Sequence, residues 1–122
     1  MQVQLTFRHM NPIEEIERQV FKEADRLDRL CPQLLTWCHV VIEKPHLHRQ
    51  HGEPYSVRVA VQGTAGFFVA SSAHGDAAWR EKLPVAVSEA FGALRSQLQT
   101  RAEVKERSAS RADRRLHRSI GI

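Results

Sequence analysis

Polar and apolar residues alternate from Gln2 to Arg8, with Val3, Leu5 and Phe7 on one side. That period of two predicts a half-buried strand over 2–8. The period then changes. Ile13, Ile16, Val20, Ala24, Leu27 and Leu30 recur at spacings of three and four, which draws one buried stripe along a helix. Asn11 offers an N-cap, Pro12 suits the first helical position, and Glu14 and Glu15 complement the positive end of the dipole. The helix is therefore expected to open at Asn11-Pro12. Cys31-Pro32 predicts its end, because proline disfavours helical geometry in the residue before it.

Residues 35–43 are rich in β-branched and aromatic side chains and read as a second strand. A polar stretch from Lys44 to Pro54 leads to a third at 55–62, where Tyr55, Val57, Val59 and Val61 face one way and Ser56, Arg58, Ala60 and Gln62 the other. Gly63-Thr64-Ala65-Gly66 reads as a turn into a strand at 67–73, giving an antiparallel hairpin. Pro84 falls in the first turn of a last amphipathic helix, built on Val87, Phe91, Leu94 and Leu98 and running to Thr100 or beyond. The order is strand, helix, three strands, helix. Two amphipathic helices can cover one face of a four-stranded sheet, so the fold class is α+β, a β-α-β-β-β-α two-layer sandwich.

A chain of 122 residues has room for one core. With 42% apolar and 26% charged residues it is too apolar for a disordered protein. The N-terminus lacks the basic head and apolar stretch of a signal peptide, and the uncharged run from Val59 to Gly75 is broken by polar residues and glycines. Both observations predict a cytoplasmic protein without membrane contact. Cys31 and Cys38 are then expected to be reduced and partly buried, with no second metal-type pair beside them.

Charge is unevenly divided. Residues 1–100 hold 11 Lys/Arg and 11 Asp/Glu, whereas residues 101–122 hold 7 and 3, so the net +4 resides in the last 22 residues. We read 1–100 as the domain and 101–122 as a basic, flexible tail able to attract phosphate. The neutral body can attract nucleic acid only if its charges are segregated onto faces.

Arg18, Lys22, Arg26 and Arg29 lie four, four and three apart, a positive stripe along the first helix. Two readings share this spacing. One is a solvated face laced with ion pairs such as Glu14–Arg18; the other is a row of cations tracking a phosphate backbone. His46, His48 and His51 cluster beside Arg49 in the long loop, with Glu53 as the only local carboxylate. That donor set favours a solvated or RNA-facing loop over a metal site. There is no nucleophile motif, glycine-rich phosphate loop or isolated carboxylate pair, hence no sign of an enzyme, a cofactor or a small-molecule substrate. Trp37, Tyr55, Phe67 and Phe68 would stack on bases if exposed, but strands of this kind more often use them as core or strand-pairing residues.

The opening Gln-Val-Gln-Leu-Thr-Phe-Arg8-His9-Met10, the acidic start of the first helix, and Val40-Val41-Ile42-Glu43 before a His-rich basic loop resemble the short ribosome hibernation-promoting factors. So do Val69-Ala70-Ser71-Ser72-Ala73, the helix start Val85-Ala86-Val87 and Leu94-Arg95-Ser96-Gln97-Leu98; together the similarity spans 2–100. The resemblance implies a fold like that of double-stranded-RNA-binding domains. It also implies docking on small-subunit ribosomal RNA in the decoding channel of the 70S ribosome, where occupancy alone blocks tRNA and mRNA. On matching positions it supports Arg8, His9 and Arg26, with Lys22 and Arg29 close to the family's basic stripe. The remaining candidate RNA contacts are His46, His48 and Arg49 in the loop, Arg95 in the last helix, and Arg101 and Lys105 at the start of the tail.

Three departures stand out. Glu23 occupies a position where the family usually carries Lys, the last helix has lost one cation and moved another to Arg95, and Pro84 stands where an aromatic is common. No second domain of the kind that pairs ribosomes in longer members is expected here. A competing reading is a protein-interaction module that kept the fold, in line with the family's older description as modulators of an alternative sigma factor. A histidine-loop metal protein is a third.

Overall fold

The computed structural model describes residues 1–44, 55–64, 66–74 and 79–120, with side chains as far as Arg101 except at 74 and 79–80. Its elements are β1 (Gln2–Arg8), α1 (Glu14–Leu30), β2 (Leu35–Glu43), β3 (Tyr55–Gly63), β4 (Gly66–His74) and α2 (Trp79–Ile120). The strands form one sheet in the order β1-β2-β3-β4. β1 runs parallel to β2, with Leu5 opposite Val40, and α1 is the crossover between them. The other two pairings are antiparallel, and Gly63 meets Gly66 across the β3–β4 turn.

Both helices lie on one face. Ile16, Val20, Ala24 and Leu27 of α1 join Leu83, Ala86, Val87, Ala90, Phe91, Leu94 and Leu98 of α2 over Val40, Ile42, Val57, Val59 and Val61 of the sheet. No polar or charged residue is buried among those described. The expected α+β two-layer sandwich is thus the observed one, and among the described residues the opposite face of the sheet carries no helix.

The structure corrects two helix starts and one core position. α1 begins at Glu14, not at Asn11-Pro12: extended Ile13 is the N-cap and makes no side-chain cap bond. Pro12 pushes Asn11 away from helical geometry, and the first helical bond runs from Glu17 N–H to the Ile13 carbonyl at 3.0 Å. α2 begins at Trp79, so Pro84 stands inside the helix instead of in its first turn. The proline leaves one carbonyl, that of Arg80, without its helical donor. Leu83 explains the earlier start, because it is fully buried and extends the stripe of Val87 and Phe91 by one turn. Leu30, expected on the buried stripe of α1, is 42% exposed.

Candidate nucleic-acid interface

Because α1 buries Ile16, Val20, Ala24 and Leu27, residues on its opposite side must face water, and Arg18, Lys22, Arg26 and Arg29 are all exposed. From Arg18 to Arg29 the row spans about 16 Å at 1.5 Å per residue. Each arginine has an acidic neighbour on the same helix: Glu14 at 3.8 Å from Arg18, Glu23 at 3.5 Å from Arg26, and Asp25 at 2.9 Å from Arg29. Lys22 has no ion pair among the described residues. The ion pairs of the first sequence reading are thus present, on a row that stays exposed. The Glu14–Arg18 and Asp25–Arg29 pairs are exposed on both sides and hold by about 0.2–0.5 kcal/mol each, little enough for a phosphate to displace the carboxylate.

Glu23 is built differently from the other acids. It is only 12% exposed and accepts a hydrogen bond from Arg95 of α2 at 2.7 Å, while its other oxygen faces Arg26. Arg95, an expected RNA contact, is thus a tie between the two helices with 31% of its side chain exposed. A second tie lies nearby, where the Gln19 amide donates to the Pro84 carbonyl at 2.7 Å and meets the Ser88 hydroxyl at 3.2 Å. Sequence reading registered Glu23 as a lost cation; its pairing with a residue 72 positions away had no local signal.

Arg8 ends β1 on the exposed surface, and its carbonyl accepts from Lys44 N–H at 3.1 Å. His9 follows with a φ of 59°, a left-handed turn conformation that His adopts more readily than most residues. Its Nε2 stands 3.8 Å from Glu43. Arg8 and His9 sit on the approach to the N-terminal end of α1, whereas Arg26 and Arg29 lie at its far end, so the structure brings Arg26 and Arg95 together and leaves Arg8 and His9 apart from them. Arg101 is exposed in α2. His46, His48, Arg49 and the side chain of Lys105 lie outside the described residues, as does the question of a metal at His46, His48 and His51. No cluster of metal-binding side chains occurs among the described residues.

Trp37 and Phe67, expected as core or strand-pairing residues, are on the open face of the sheet and pair across it; their ring centroids lie 5.9 Å apart at 57°. Tyr55 is buried and Phe68 packs against the core, as expected. Both cysteines are free. Burial pushes the Cys38 thiol up to about 12, and burial and Asp28 raise that of Cys31, so neither is an activated nucleophile.

A family model described as Sigma 54 modulation protein / S30EA ribosomal protein matches residues 3–106. The chain belongs to this family. Its members are ribosome-associated modulators, not a family of enzymes. Among solved structures, a ribosomal subunit interface protein from Coxiella burnetii superposes with a TM-score of 0.63 at 16% identity, over 82% of this chain and 96% of that one. The N-terminal domain of Thermus thermophilus Protein Y gives 0.61 at 22% identity, over 82% and 98%. At these identities the two structures establish the shared fold. No curated protein matches the chain. The family match ends at Glu106, within α2, so residues 107–122 lie beyond it. No helix among the described residues is long and apolar enough to cross a membrane.

Proposed function

We propose that this protein binds small-subunit ribosomal RNA near the decoding channel and holds the 70S ribosome inactive by occupancy, in the cytoplasm and without catalysis. The observation that carries this reading is the exposed cation row of α1, set on a chain whose family is ribosome-associated. Arg18, Lys22, Arg26 and Arg29 would replace counterions along one phosphate backbone, with Arg8 and His9 at the other end of the helix and the loop and tail cations adding attraction. Replacing Lys22, Arg26 and Arg29 together by Ala tests it. All three lie off the apolar stripe, so the variant should fold, bind small subunits more weakly, and lose about one unit of salt slope per phosphate contact removed. Unchanged binding removes α1 from the interface. Filling the subunits beforehand with mRNA and tRNA should exclude the protein; undiminished binding places it elsewhere.

The second reading, a protein-interaction module, draws on Glu23. It turns a potential phosphate contact into an acid and engages Arg95, which leaves fewer free cations on the helical face.

A further inference from the structure

The pleat of the sheet sends alternate residues to the face without helices. Register aligns them in rows: Gln2, Trp37, Gln62 and Phe67 form one, and Thr6, Val41, Arg58 and Ser71 another. Trp37 and Phe67 stand two strands apart, about 10 Å between backbones, yet their centroids are 5.9 Å apart, so the rings lean together above Gln62. Phe67 is 56% exposed. Arg58 is exposed four residues along β3 from Gln62, about 13 Å away. Arg8 continues the cationic side of the face, while His39 lies between, its Nε2 3.3 Å from the Thr6 hydroxyl. Glu43 is the one carboxylate on this face among the described residues; it is the cross-strand partner of Arg8 and stands beside His9, so Arg58 is the cation with no acid next to it in the register.

We propose that the open face of the sheet is a stacking platform for unpaired RNA bases, a second contact surface that rests on the ribosomal reading above and deepens it. Phe67 and Trp37 receive a base, the Gln62 amide lies beneath to meet a base edge, and Arg58 and Arg8 take phosphates of neighbouring nucleotides. Charge selects this occupant. A single strand brings phosphate to Arg8 and Arg58 and flat apolar bases to the rings. A duplex keeps its bases stacked inside and offers the rings nothing.

The test uses the full chain with Trp79→Phe, which leaves Trp37 as the only tryptophan. Titration with a short oligoadenylate should quench Trp37 emission, and a blunt RNA duplex should not. Phe67→Ala, at an exposed position, should weaken oligoadenylate binding about tenfold. Arg58→Ala should lower its salt slope by about one unit. Absence of quenching, or equal affinity of the Phe67 variant, overturns the platform. A concentration-dependent dimer abolished by Phe67→Ala overturns it too, since a second copy would then cover the face. Small-subunit co-sedimentation separates this proposal from its parent. A protein that sediments with subunits but leaves Trp37 unquenched keeps the ribosomal reading and loses the platform; one that is quenched yet never sediments does the reverse.

Discussion

Cys38 shows how a single residue can carry a measurable signature of burial. Its folded thiol is raised from 9.0 to about 12 because β2 holds it against the core, where the thiolate would lose its hydration. Stability from keeping the thiol neutral is fully present below pH 9.0 and is lost as pH climbs from there towards about 12. Cys38→Val, close in volume and without a titrating group, should cost under about 1.5 kcal/mol at neutral pH. Urea melts should show the variant gaining on the wild type as pH rises past 9.0; parallel curves would mean that the thiolate is not excluded. Gly63 makes a different point. A Cβ there would collide with the Leu34 carbonyl, which accepts from Thr64 N–H at 2.9 Å. Gly63→Ala should therefore destabilise the domain by about 1–3 kcal/mol by overpacking, measured in the same melts. A loss within error would show that the Leu34 backbone shifts freely. The sequence predicts at least part of the Cys38 burial, whereas Gly63 reads there only as the first residue of a turn and its close approach to Leu34 has no local signal.

At the scale of elements, periodicity carried furthest where one face is buried and one wet. β1 and β2 have the expected limits of 2–8 and 35–43, and β3 and β4 extend theirs by a residue or two. Helix starts are less legible: Pro12 itself holds Asn11 out of helical geometry, and burial of Leu83 carries α2 back past Pro84. The interhelical tie is illegible for another reason: pairing at long range leaves no trace in spacing. Glu23 and Arg95 are each less than one-third exposed, so their charge-assisted bond is worth about 1.5–3 kcal/mol. Urea melts of Glu23→Gln, Arg95→Ala and the double variant form a cycle with an expected coupling of at least about 0.5 kcal/mol. Additive losses would mean that Arg26 already satisfies Glu23 and that Arg95 is available to RNA. The candidate site divides along the same line. The α1 row was readable from i,i+4 spacing, whereas Arg58, Trp37 and Phe67 became a surface only once the register aligned them.

For the whole molecule, the controlling feature is where charge sits. Acids and bases balance over residues 1–100, and the excess of 7 cations over 3 acids belongs to 101–122. The last buried residue of α2 is Leu98 among those described, so a chain cut after Thr100 keeps every buried residue described. That truncation should fold, bind ribosomal RNA more weakly and show a flatter salt dependence. Equal salt slopes for the two lengths would show that the tail makes no phosphate contact. The central claim, that family membership here still means ribosome binding despite Glu23 and the neutral body, is tested most directly by co-sedimentation of the full chain with isolated small ribosomal subunits across a salt series. Saturable binding that weakens steeply as salt rises is the expected result; no binding at low salt would contradict it and point to a protein partner.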